Sequence, residues 1–406
     1  MSVDKLDWFD QDNLLLLNSR LPAAVRLHYE KEWNRLVEPE FKGHIGIASS
    51  GSSQSNKFNR VILIAKTALL ASAAAVNRHL QSTRHDAWMK TLPDFHVGGL
   101  SVYSRSRLNG ARVIESQLKK WEVSAFHREL SESGATLLSL VPTQLFDLVQ
   151  SRLKSPHSLR YVIIGGGRLE PRLAQRAVEL GWPVLASYGL TECGSQVATA
   201  REIGSEQLWP LDHVEVKIHP NSPVELKEGM PNAPGRIGIR SPALFSAELY
   251  FDDLGKGEIR RRPSGDGFFV TEDRGELLSN GELLVFGRDS GFVKIGGESV
   301  SLLRLEDIFE KLRFELFPEL DGALIAEPDA RLGHQIQLFM SRAQSDDESE
   351  LGSRTLLLVR AYNHHVLPFE RIRKIHVIAK LPRSPLGKIL KNEALRAERL
   401  QSFSDL

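Results

Sequence analysis

The segment Tyr161–Ala186 constrains the fold most. A short apolar run, Tyr161–Ile164, is followed by a helical stretch, Pro171–Leu180, and a second apolar run, Pro183–Ala186. Runs this short and this apolar suit strands buried on both faces of a parallel sheet. A strand–helix–strand unit of this kind predicts an α/β fold with crossover connections. After about residue 205 the character changes. His213–His219 and Gly235–Arg240 alternate as half-buried strands do, and Asn280-Gly281 before Glu282–Val285 suits a type I′ hairpin turn. An amphipathic helix near Leu303–Phe314, a strand near Gln335–Met340 and a polar acidic loop, Ala343–Gly352, follow.

A length of 406 residues predicts two or three domains. The expected organisation is a large N-terminal domain, 1–288, of α/β layers with a β-rich part at about 206–288. A small, mobile α+β C-terminal domain, 289–406, would follow. With 52 Lys and Arg against 51 Asp and Glu, the net charge of +1 gives no reason to expect nucleic acid or an anionic membrane as partner. The single cysteine, Cys193, excludes an intrachain disulfide. The acidic N-terminus is unlike a secretory signal. The most apolar run, Val61–Val76, is broken by Lys66 and is short for a membrane span of ~20 residues. It reads as a buried, Ala-rich helix, and a cytoplasmic protein without membrane insertion is expected. Oligomeric state stays open, a homodimer included.

Six segments carry candidate chemistry. Ser49, Ser50, Gly51, Ser52, Ser53 and Lys57 lie in a Ser-rich stretch after the strand-like His44–Ala48. Small hydroxyl residues offer donors to phosphate oxygens, although a surface loop has the same composition. The stretch is not a Walker A loop, since Asn56 and Phe58 stand where Gly and Ser or Thr are needed. Gly165, Gly166 and Gly167 let a ligand approach the backbone or simply make a turn. Glu170 stands where a dinucleotide fingerprint needs its third glycine. Ser187, Tyr188, Gly189, Thr191 and Glu192 combine an aromatic face with oxygen ligands suited to Mg²⁺, or form an ordinary strand end. His96, within Pro93–Leu100, reads equally as a core histidine. Asp273 and Arg288 suit a ribose or are plain surface charges. Lys388 sits in a rigid Pro- and Gly-containing turn or a basic tail.

Their order resembles the signatures of the adenylate-forming superfamily of acyl-CoA synthetases, adenylation domains and luciferases. The resemblance covers about residues 44–395. Leu92–Leu100, Ser139–Thr143 and Tyr188–Val197 look most like the o-succinylbenzoate–CoA ligases of menaquinone synthesis, and the short chain is similar to members with a reduced N-terminal subdomain. The resemblance implies an AMP-forming acid–CoA ligase that uses a small carboxylic acid, ATP, Mg²⁺ and coenzyme A. Another acid substrate, or a non-catalytic nucleotide-binding homologue, are the alternatives.

By the same resemblance, Ser49–Lys57 would wrap the β- and γ-phosphates. Gly165–Gly167 and Ser187–Gly189 would line the adenine and acyl pocket. Thr191 would touch the α-phosphate, Glu192 would bind Mg²⁺, and Asp273 with Arg288 would hold the ribose. His96 would wall the acyl site, and Gly166 would line it. An aromatic acid with a second carboxylate needs a cationic or hydroxyl partner for it, and Ser195, Gln196 and Arg168 are the candidates. Lys388 would bridge the carboxylate and the α-phosphate. Asp289 would be the hinge, and Lys294, Gly296 and Gly297 would serve the thioester-forming conformation. Three departures fall in the phosphate loop, at Ser53, Gln54 and Asn56, and one in the ribose motif, at Glu272, which adds negative charge beside a polyanion. They put the strength of ATP binding in doubt.

Overall fold

The structure, a computed structural model, describes residues 3, 6–19, 21, 23–48, 60–118, 120–219, 235–252, 255–262, 265–288, 292–295, 298–329, 332–342, 348–384 and 389–404. It divides into two compact units, Met1–Thr271 with Gly275–Leu284 and Glu272–Arg274 with Val285–Leu406.

The first unit is built on a seven-stranded sheet. Five strands run parallel in the order Arg112–Glu115, Ala87–Lys90, Leu137–Leu140, Tyr161–Ile164 and Val184–Leu190. Ser195–Thr199 and Trp209–Pro210 extend it antiparallel. The helices Val97–Asn109, Val123–Ser133, Pro142–Gln150 and Pro171–Glu179 lie between these strands in sequence. Their starts are encoded locally: Pro142 and Pro171 open their helices, and the Glu122 and Glu170 carboxylates accept backbone N–H groups of the first turn. Trp88, Phe126, Leu137, Val162, Trp182 and Val184 are buried in one core, which explains why these strands read as unbroken apolar runs.

The apolar run Val61–Val76 is not one helix. It divides into the strand Arg60–Ala65 and the helix Lys66–Leu80. Val61–Ile64 is rich in β-branched residues and pairs antiparallel with His44–Ala48 and Ala247–Phe251 in a five-stranded sheet. Lys66 is buried, and its ammonium donates to the Asp7 carbonyl at 2.9 Å and pairs with Asp10. The strands of the β-rich stretch are shared among sheets. Ala247–Phe251 and Gly257–Arg261 join the five-stranded sheet, while Glu215–His219, Gly235–Arg240, Phe269–Leu277 and Leu283–Arg288 form a four-stranded one. The hairpin at Asn280-Gly281 has positive φ at Gly281 alone, so it is not the mirror-image turn, which needs positive φ at both central positions.

The N-terminal ends of the parallel strands are clipped together. The Asp86 carboxylate accepts Arg160 Nη1 at 2.7 Å and 2.8 Å and Thr136 Oγ1 at 2.7 Å. Each of these residues stands immediately before a strand. Burial raises the Asp86 pKa, but the hydrogen bonds from Arg160, Thr83 and Thr136 outweigh it, and the net shift is downward. A depressed carboxylate stabilises above its unfolded pKa and loses that contribution as pH falls through the folded value. Arg160→Ala is therefore expected to cost about 2–3 kcal/mol at pH 7, less than for a fully enclosed pair because Arg160 is partly exposed. Urea unfolding at a series of pH values should show this difference shrinking toward acid.

In the second unit, Glu298–Ser301, Phe292–Ile295, Gly333–Ser341, Ile372–Ile378 and Gln401–Ser404 lie in that order, with Gly322–Asp329 also paired to Gly333–Ser341. The helices Leu302–Leu316 and Glu348–His365 contribute Phe309 and Tyr362 to its core, whose rings meet edge-on at 6.2 Å. Among the described residues no helix is long and apolar enough to cross a membrane.

Candidate functional site

The strand order reverses at Ala87–Lys90, which has Arg112–Glu115 on one side and Leu137–Leu140 on the other. Open α/β sheets bind ligands at the carboxyl ends of their strands beside such a reversal. Most described motif residues of the first unit lie there. His96 immediately precedes the helix Val97–Asn109, in the segment that leaves Ala87–Lys90. Thr91 in that segment donates to the Ser139 carbonyl at 2.6 Å. Gly165, Gly166 and Gly167 leave Tyr161–Ile164. Gly165 N–H donates to the Leu140 carbonyl at 3.1 Å, and Gly166 has φ +75. Ser187, Tyr188 and Gly189 belong to Val184–Leu190, and Ser187 Oγ donates to the Ile164 carbonyl at 2.8 Å. Thr191 and Glu192 form the one-turn helix that follows. Gly189 sits at a register shift, and a Cβ there would lie 1.9 Å from the Ser195 carbonyl oxygen, so only glycine fits.

His96 packs its ring 4.7 Å from that of Phe95, and burial lowers its pKa, so the imidazole is neutral near pH 7. Cys193 is buried, which pushes its thiol up to about 12, the Ser241 hydrogen bond opposing and the Glu192 charge adding. It is no nucleophile.

The structure adds Arg105, which the sequence motifs did not single out. It lies in the helix Val97–Asn109, 2% exposed. Nη2 donates to Ser195 Oγ at 3.2 Å and to Gln196 Oε1 at 2.9 Å. The guanidinium lies 5.1 Å from the Trp88 ring centre. Nε and Nη1 are buried without a hydrogen-bond partner among the described residues. Burial lowers the guanidinium pKa to about 9, so it remains charged at neutral pH. The candidates Ser195 and Gln196 are thus brought together by a cation, whereas Arg168 is half-exposed and pairs with Glu206 at 3.7 Å. The helix sequence, VGGLSVYSRSRLN, does not mark it: only in the fold are Gly99–Ser106 seen to be buried throughout, so that an arginine among them demands a partner.

Glu192 is likewise engaged. Arg60 Nη2 donates to its Oε1 at 2.7 Å, and Arg60 Nη1 donates to Glu248 Oε1 at 3.1 Å. Among the described residues no group of three or more His, Cys, Asp or Glu could hold a metal ion. Mg²⁺ that arrives with phosphates needs only one or two carboxylates. Glu192 therefore fits as its protein ligand, provided Arg60 yields.

In the second unit, Asp273 lies on Phe269–Leu277 and Arg288 ends the neighbouring strand Leu283–Arg288. Lys294 lies on Phe292–Ile295. The side chains of Arg288 and Lys294 are outside the described residues, as are Ser49–Lys57, Asp289, Gly296, Gly297 and Lys388.

Residues 61–247 match the family model of AMP-binding enzymes. A 2-succinylbenzoate–CoA ligase of Bacillus mycoides is 26% identical over 334 residues, 80% of this chain and 64% of the relative. One of Staphylococcus epidermidis is 26% identical over 79% of this chain and 63% of the relative. The chain thus spans less than two thirds of the length of these curated relatives. Among solved structures, an o-succinylbenzoate CoA synthetase of Bacillus subtilis in complex with its acyl-adenylate intermediate superposes with TM-score 0.74 at 22% identity, covering 97% of this chain and 84% of that one. The same enzyme in complex with ATP and magnesium ion gives 0.71 at 22% identity, covering 94% and 83%. At these identities the structural likeness carries the fold. Fold and motif order agree with the family match, and residues 61–247 are what this chain shares with the AMP-binding enzymes.

Proposed function

We propose that the chain is an ATP-dependent acid–CoA ligase that activates o-succinylbenzoate in menaquinone synthesis. The family match supports the reaction class, and Arg105 carries the substrate class. A buried guanidinium with two unsatisfied donors, held by Ser195 and Gln196, suits an acid bearing a second carboxylate besides the one that reacts.

In the first step a carboxylate oxygen bonds to the α-phosphorus of ATP, and pyrophosphate leaves with the electrons of the broken P–O bond. In the second, the CoA thiol loses its proton, its sulfur bonds to the acyl carbon, and AMP leaves. His96 walls the acyl side as a neutral ring. Gly165–Gly167 and Ser187–Gly189 give the nucleotide close access to backbone, with Thr191 at the α-phosphate and the Ser49–Lys57 loop on the β- and γ-phosphates. Asp273 and Arg288 hold the ribose. Lys388 meets the charge that builds between carboxylate and α-phosphate. Bound Mg²⁺, held by Glu192, would neutralise phosphate charge. Rotation about Asp289 exchanges Lys388 for Lys294, Gly296 and Gly297 before the thioester step.

Thioester formation measured with paired aromatic acids, with and without the second carboxylate, tests the substrate class. Preference for the dicarboxylate supports it, and turnover of monocarboxylates alone removes it. The Arg60–Glu192 pair favours one second reading, a nucleotide-binding homologue without turnover. ATP binding with no pyrophosphate release for any acid would support that reading.

A further inference from the structure

Arg60 opens the strand Arg60–Ala65, and its guanidinium joins a carboxylate of its own sheet to one on the turn that follows a strand of another. Glu248 lies on Ala247–Phe251, the strand paired with Arg60–Ala65, and Glu192 lies on the turn after Val184–Leu190. The Arg60, Glu192 and Glu248 side chains are 27%, 8% and 18% exposed. The Glu192 turn is fixed, because its carbonyl accepts the Phe245 N–H at 2.9 Å. Burial pushes the Glu248 carboxyl up, Arg60 opposes, and the Glu192 charge adds to the rise. Two carboxylates thus share one guanidinium, and the charge that Arg60 supplies to Glu192 is the charge a metal ion would supply.

We propose that Arg60 is the resident counter-cation of the nucleotide site: its guanidinium and a divalent cation compete for the Glu192 carboxylate, and metal entry turns Arg60 away from Glu192 while Glu248 retains it. This rests on the reading of Glu192 as the metal carboxylate. The arrangement has a chemical logic. Without nucleotide, Arg60 spares Glu192 the cost of an unpaired buried charge. When metal and triphosphate arrive together, the released donor becomes available to a phosphate oxygen, an oxyanion for which guanidinium is well matched. Arg60 is then a positioning residue for the metal, acting through Glu192.

The test is Mn²⁺ binding to the full chain, read from the electron paramagnetic resonance signal of free Mn²⁺, with and without α,β-methylene-ATP. Without nucleotide, Arg60→Ala is expected to bind Mn²⁺ about tenfold more tightly than wild type, since two carboxylates lose their cation. Arg60→Ala/Glu192→Gln should lose that gain. Arg60→Lys keeps a charge but cannot span both carboxylates, and it should gain about threefold. If Arg60→Ala does not fold, as judged by circular dichroism, the lysine variant carries the test. No gain in any folded Arg60 variant, with Glu192→Gln still weakening Mn²⁺ binding in the presence of the nucleotide analogue, overturns the competition and leaves Glu192 as the metal carboxylate. Unchanged Mn²⁺–nucleotide binding in Glu192→Gln overturns both.

Discussion

Lys388→Ala is expected to slow acyl-adenylate formation by about 10²–10³-fold, while thioester formation from preformed acyl adenylate keeps most of its rate. The asymmetry follows from where charge develops. In the first half-reaction an anionic carboxylate approaches an anionic α-phosphate, and a fixed ammonium lowers that barrier. In the second, the acyl carbon is already activated and a thiol is the nucleophile, so the same ammonium has little left to stabilise. Isotope exchange between ATP and pyrophosphate reads the first step. Single-turnover thioester formation from added acyl adenylate reads the second. Equal loss in both would remove Lys388 from the assigned role.

Arg105→Met is the second large effect. For an acid with two carboxylates, kcat/KM should fall by about 10²-fold, the cost of truncating one partner of a buried charge pair. For the matching monocarboxylate it should change little. Stability should not fall with it. Arg105 is buried among Trp88, Ser195 and Gln196 with two donors unsatisfied, and an apolar side chain of similar length removes that desolvation cost. Urea unfolding is therefore expected to give an unchanged or higher midpoint. A lower midpoint, with equal losses for both acids, would make Arg105 a structural residue and leave the substrate class without its main support.

The parallel sheet was legible because its strands are buried on both faces and bounded by helix-start signals. Tyr161–Ile164 and the helix opened by Pro171 fall where their apolar runs and proline place them. Val61–Val76 was misread because periodicity does not separate a buried strand from a buried helix when both are uniformly apolar. The β-branched content of Val61–Ile64 was the local cue. The turn at Asn280-Gly281 shows a similar limit: the dipeptide marks a hairpin, but loop length selects the turn type. Within the candidate site, motif residues at strand ends were legible because small residues and oxygen ligands there are unusual. Arg105 and Arg60 were not, since their importance lies in pairings across 90 and 132 positions of sequence, with Ser195 and Glu192. Long-range polar contacts leave no local pattern. Only the cost of burying a charge marks them, and burial of a particular side chain is seen once the sheets are assembled.

The proposed reaction joins a carboxylic acid to AMP and then to coenzyme A. Pyrophosphate release from ATP and Mg²⁺ with o-succinylbenzoate, followed with and without CoA, tests it most directly. Release should depend on the acid, rise when CoA is added, and be accompanied by an equal amount of AMP and thioester. Bound ATP with no acid-dependent pyrophosphate, for o-succinylbenzoate and for a panel of other acids, would contradict it.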